Sequence, residues 1–77
     1  MPKVTVYSTA TCPFCTMAKD FLKQNKIEFQ DIDVSADQDS LRIMMKKSGQ
    51  TGVPVIDIDG KIIIGFNEPA IKQALGL

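Results

Sequence analysis

An α/β fold in the order β-α-β-α-β-β-α, with a four-stranded mixed sheet and helices on both faces, is what this sequence predicts. Three observations lead there. The apolar spacing switches repeatedly between the period of a strand and the period of a helix. The first strand, the helix after it and the second strand form a parallel unit with a right-handed crossover. Near the end, Asp59-Gly60 joins two apolar runs, a hairpin signal that adds antiparallel partners to that unit.

The elements follow in order. Lys3-Val4-Thr5-Val6-Tyr7 alternates and is β-branched, so it reads as a strand. After Cys12 the period changes: Phe14, Met17, Ala18, Phe21 and Leu22 fall at i, i+3, i+4, i+7 and i+8, one helical face ending near Asn25. Glu28 to Val34 returns to strand, with Gln30, Ile32 and Val34 on one face and Phe29, Asp31 and Asp33 on the other. Ser35-Ala36-Asp37-Gln38 has the form of a capping box with Ser35 at the cap. The helix it opens should turn Leu41, Met44 and Met45 inward and stop at Gly49. Pro54 to Ile58 and Lys61 to Gly65 are the hairpin strands. Asn67 caps a last helix with Ile71, Ala74 and Leu75 inward and Gly76 at its end.

With 77 residues the chain has room for one domain, 1–77, and no second core. Nine Lys+Arg balance nine Asp+Glu, which argues against a nucleic-acid partner, since such partners call for a basic face. The longest apolar runs, Val53-Pro54-Val55-Ile56 and Ile62-Ile63-Ile64, fall far short of the roughly 20 residues of a membrane span. Met1-Pro2-Lys3-Val4-Thr5 has no apolar signal core, so the expected location is cytoplasmic. No histidine is present. That removes Ser-His and Cys-His nucleophile pairs and most zinc sites from consideration.

The two cysteines, Cys12 and Cys15, are separated only by Pro13-Phe14. A disulfide across so short a loop removes little entropy from the unfolded chain, so a structural staple explains the pair poorly. A zinc site would need two more ligands that the chain does not offer at hand. Redox chemistry explains the pair better. Cys12 falls at the start of the first helix, with Pro13 at N1, where its missing N–H costs nothing. Its sulfur then lies beside unpaired amides at the positive end of the helix dipole, which favours a thiolate. Cys15, one turn further in, is less exposed and less acidic. Cys12 is therefore expected to attack and Cys15 to resolve. Tyr7 reads as packing rather than catalysis, Lys19 is given no part in thiolate stabilisation, and Met17, Met44 and Met45 read as core filler.

Three motifs in register carry a resemblance: Thr11-Cys12-Pro13-Phe14-Cys15, Thr51-Gly52-Val53-Pro54 before the hairpin, and Gly65-Phe66-Asn67-Glu68 before the last helix. Together they span the chain, which resembles a compact bacterial or archaeal glutaredoxin of the thioredoxin-like superfamily. The resemblance implies a thioredoxin-like fold and a cis Val53-Pro54 bond facing Cys12, which would turn the Val53 backbone toward an extended peptide or glutathione. It implies a glutathione site made by Phe14, Thr51, Val53, Pro54, Gly65, Phe66 and Asn67, with Gly65 and the residues after it at the γ-glutamyl end. Many members have an acidic residue where Asn67 stands and a basic one where Ser8-Thr9-Ala10 stands; Phe14 lacks the more common hydroxyl. The implied function is thiol-disulfide oxidoreduction on protein disulfides or glutathione mixed disulfides. No bound cofactor is required; glutathione is the co-substrate, the partners are disulfide-containing or glutathionylated proteins and either glutathione or a flavoprotein reductase, and the chain acts as a monomer. Gly65-Phe66 followed by Pro69 also resembles the glutaredoxin-like electron donors to ribonucleotide reductase, recharged by thioredoxin reductase. A further alternative is an iron–sulfur carrier in which two chains share a cluster through Cys12 and two glutathiones.

Overall fold

Strand β1 (Val4–Ser8) is buried along its whole length, although its sequence alternates like a strand with one wet face. The reason is its place in the sheet, whose order is β2-β1-β3-β4. It lies between β2 (Gln30–Asp33), paired parallel from Thr5 opposite Gln30 to Ser8 opposite Asp33, and β3 (Val55–Ile58), paired antiparallel. Strand β4 (Lys61–Ile64) closes the other edge antiparallel to β3. The expected mixed α/β sheet is thus observed. A computed structural model describes residues 3–77; Met1 and Pro2, which open the segment read for a signal core, lie outside the described residues. Among the described residues no helix is long and apolar enough to cross a membrane.

The strand alternation sorts the core into two layers. Val4, Val6, Ile56, Ile58 and Ile63 point to one face, where Ala18 and Leu22 of α1 (Pro13–Gln24) and Ile71 of α3 (Glu68–Leu75) cover them. Tyr7, Val34 and Val55 point to the other face and meet Met44 of α2 (Gln38–Ser48). Helices on both faces are therefore required by the apolar residues on both faces of β1 and β3. Tyr7 is a packing residue, as expected, with its hydroxyl accepting from Lys47 Nζ at 3.1 Å while Lys47 also pairs with Asp57 at 2.7 Å.

Several expectations need correction. In α1 the buried positions are Cys15, Ala18 and Leu22, while Phe14 and Met17 are 59% and 47% exposed. The stripe read from spacing includes the first turn, and neither of those side chains joins a core cluster. In α2, Met44 is buried but Met45 is 40% exposed, so only one of the two adjacent methionines faces the sheet. The cap of α2 is Asp37, whose carboxylate accepts from the N–H groups of Asp39 and Ser40, and not Ser35. Ser35 is occupied elsewhere, giving both its N–H and its hydroxyl to Asp33. Strand β2 is shorter than Glu28–Val34 because its ladder to β1 has four rungs.

The turn chemistry matches the sequence. Asp59 and Gly60 both have positive φ, 51° and 90°, the backbone of a tight hairpin whose twist suits the flanking strands. Asn67 caps α3 through its Oδ1, which accepts the Ala70 N–H at 3.2 Å.

Candidate active site

Pro13 begins α1 and Cys12 is its N-cap, with extended backbone angles (φ −93°, ψ 112°). A helix leaves its first N–H groups without backbone partners, and here a sulfur takes the place of the usual cap oxygen. Cys12 Sγ accepts the Cys15 N–H at 3.3 Å. The Cys12 carbonyl already accepts the first helical bond, from Thr16 N at 3.2 Å. The cap is therefore complete with a thiol in it, and a negative charge on that sulfur is what the helix end favours.

The acidities follow from these contacts. Partial burial works against a Cys12 thiolate. Hydrogen bonds from the Cys15 side chain and backbone, and from the Phe14 backbone, outweigh it, so the Cys12 thiol is lowered from its ordinary value. Cys15 is fully buried, and burial together with the neighbouring Cys12 sulfur pushes its thiol up to about 11. Both cysteines are free thiols.

Lys19 also bears on the pair. Its ammonium lies 3.1 Å from Asp31 and 3.4 Å from the Ser8 hydroxyl, and it adds a small attraction for charge on both sulfurs. Sequence reasoning gave it no part. The signal was its place four residues after Cys15, on the same helix face.

The three motifs converge. The Val53-Pro54 bond is cis, as the resemblance implied, and the Cys12 thiol donates to the Val53 carbonyl at 3.8 Å. The Pro54 carbonyl accepts the Gly65 N–H at 2.8 Å, which fixes the end of β4 against the same loop. Gly65 has φ 78°, a conformation that a residue with a Cβ adopts at a cost. Phe66 then packs edge-on against Phe21 of α1, ring centroids 6.0 Å apart, which ties the corner before α3 to the helix that carries the cysteines. Phe14 lies open beside Cys12, and Thr51 is exposed on its loop. Asn67 is turned to its own helix, and Glu68 pairs with Lys72 at 3.4 Å. Among the described residues no group of three or more His, Cys, Asp or Glu gathers to hold a metal ion.

An acidic capping thiol beside a buried, weakly acidic one, under a cis-proline loop, is an arrangement for disulfide exchange. Comparison with known proteins agrees: the Glutaredoxin family profile matches residues 4–63. The chain belongs to the glutaredoxin family. Like other glutaredoxins it is a thiol-disulfide oxidoreductase with the thioredoxin fold. It is 44% identical over 72 residues to a glutaredoxin-like 8.6 kDa protein of the rubredoxin operon in Clostridium pasteurianum, covering 94% of this chain and 96% of that one. It is 35% identical over 76 residues to glutaredoxin 3 of Escherichia coli, covering 99% and 92%. The solved glutaredoxin of Archaeoglobus fulgidus superposes with a TM-score of 0.89 at 28% identity, over 97% of this chain and 87% of that one.

Proposed function

We propose that this glutaredoxin reduces protein disulfides and glutathione mixed disulfides, with Cys12 as nucleophile, Cys15 as resolving thiol and glutathione as reductant. The observation that carries the reading is the Cys12 sulfur capping α1 at 3.3 Å from the Cys15 N–H, over a Cys15 thiol held at about 11. The Cys12 thiolate attacks one sulfur of the substrate disulfide. The old S–S bond breaks, the departing thiolate takes a proton, and a mixed disulfide joins Cys12 to the substrate. Cys15 then loses its proton and attacks the Cys12 sulfur, releasing the second substrate thiol and closing Cys12–Cys15. Two electrons have passed to the substrate. Two glutathione thiols return them and leave as glutathione disulfide. On a glutathione mixed disulfide, a second glutathione takes the place of Cys15.

The Val53 backbone, cis-Pro54 and the Gly65-Phe66 corner form the surface on which glutathione or an extended peptide would lie, with Phe14 and Thr51 at its margins. The chemistry uses the chain's own sulfurs and needs no resident cofactor. One chain builds the whole site, in keeping with a monomer. Free working thiols suit the reducing cytoplasm.

One observation favours a second reading, a protein-disulfide donor recharged by thioredoxin reductase, as in the redoxins that serve ribonucleotide reductase. Asn67 has no carboxylate and turns its Oδ1 to the Ala70 N–H, and the Glu68 carboxylate is paired with Lys72, which weakens its pull on the γ-glutamyl ammonium.

Turnover of a small glutathione mixed disulfide, with glutathione as sole reductant, separates the two. The wild type and Cys15→Ser should both turn over, and Cys12→Ser should not rise above background. If neither of the first two turns over while the protein is folded and its thiols titrate, the glutathione reading fails and the reductase-driven one replaces it.

A further inference from the structure

The loop that carries Thr51 and Val53 is held by a side chain outside every motif described above. Gln50 is half-buried and its amide brackets Gly52 on both sides. Its Nε2–H donates to the Gly52 carbonyl at 3.0 Å, and its Oε1 accepts the Gly52 N–H at 2.6 Å. The Gln50 backbone is fixed in turn by Ser48. That hydroxyl lies 2.8 Å from the Met44 carbonyl and 3.0 Å from the Gln50 carbonyl, and it accepts the Gln50 N–H at 3.4 Å. The chain from the last turn of α2 to Gly52 is thus one run of hydrogen bonds. The bracket holds only while position 52 lacks a side chain, because a Cβ there would stand 2.6 Å from Gln50 Oε1 and push the amide aside.

An amide paired to both polar groups of one residue does what a neighbouring strand would do. The Gly52 N–H is then spent, and its carbonyl already accepts one bond. The next residue, Val53, turns its carbonyl to the Cys12 thiol at 3.8 Å, and its N–H has no partner among the described residues. We infer that Gln50 is a positioning residue for substrate. It pins the loop from within, so that an extended disulfide substrate pairs with the Val53 backbone, next to the attacking sulfur, and not with Gly52. The inference deepens the proposed function and rests on its reading of Val53 as the pairing point.

The test compares two reactions of the reduced protein. One is single-turnover reduction of a peptide–glutathione mixed disulfide, which needs an ordered backbone partner. The other is alkylation of Cys12 by iodoacetamide, which needs only the thiolate. In Gln50→Ala the peptide rate constant should fall about three- to tenfold, the loss expected for one net hydrogen bond, with alkylation unchanged within about twofold. Gly52→Ala, which displaces the amide, should give a fall of the same size, and the double variant should fall no further. Gln50→Glu keeps the acceptor and has no donor for the Gly52 carbonyl; it should move the peptide rate the same way if the alanine variant unfolds. An unchanged peptide rate, an equal loss in alkylation, or an additive double variant overturns the inference. A wild type that alkylates at Cys12 but leaves the peptide disulfide intact overturns the underlying reading, and the inference with it.

Discussion

Cys12 and Cys15 are the same side chain three residues apart, and the fold moves their acidities in opposite directions. Cys12 lends its sulfur to the helix end, while Cys15 is enclosed by the core. Each shift has a consequence for stability. The Cys12 thiol is lowered in the folded state, so its contribution is full above the unfolded value of about 8.5 and is lost as the pH falls through the lowered value. The Cys15 thiol is raised, so its contribution is full below about 8.5 and is lost as the pH rises toward about 11. Denaturant unfolding of the reduced protein and of Cys15→Ala should therefore show a stability gap that narrows between about pH 7 and about pH 10. A gap that widens over that interval would mean that Cys15 ionises more readily folded than unfolded.

The elements show which features of the sequence carry structural information and which do not. Helix ends at glycine and turns were readable because their chemistry is local: Gly49 and Gly76 end their helices in the left-handed region, and Asp59-Gly60 makes its hairpin from two residues. The inward faces were only partly readable, because periodicity fixes a stripe but not where the partner layer ends. Phe14 and Met17 keep helical spacing and still face solvent, and adjacent Met44 and Met45 part company at the sheet. Ser35 had the right spacing for a cap and lost it to Asp37, whose carboxylate reaches two helix N–H groups. These assignments separate by mutation. Leu22→Ala and Met44→Ala remove fully buried side chains and should each cost about 2–5 kcal/mol, whereas Met17→Ala and Met45→Ala should stay within about 0.5 kcal/mol. Thermal or urea unfolding of the four variants reads this directly. Equal losses for Leu22→Ala and Met17→Ala, or for Met44→Ala and Met45→Ala, would contradict the faces described.

Across the whole molecule, three segments far apart in sequence meet to form the candidate site: the first turn of α1, the loop before β3 and the corner after β4. Their joining contacts are Cys12 to Val53, Pro54 to Gly65, and Phe21 to Phe66. The motifs themselves were legible from the chain, and so was the asymmetry of the two thiols. The Gln50 clamp on Gly52 was not, since it depends on where side chains meet after folding, and the small contribution of Lys19 was missed although its helical spacing from Cys15 signalled it. Net charge is zero, so in the proposed function partner choice would rest on the shape and backbone pairing of this one surface.

The claim beneath all of this is that the fold, and not the Cys-Pro-Phe-Cys sequence alone, makes one thiol reactive and the other reserved. Site-resolved alkylation by iodoacetamide across pH, read by mass spectrometry on the native reduced chain and on the chain in urea, tests it most directly. In the native protein Cys12 should reach half its maximal rate below about 8.5, while Cys15 stays unmodified until the pH approaches about 11. In urea the two profiles should merge near about 8.5. Native profiles that coincide, or a Cys15 that alkylates before Cys12, would contradict the account.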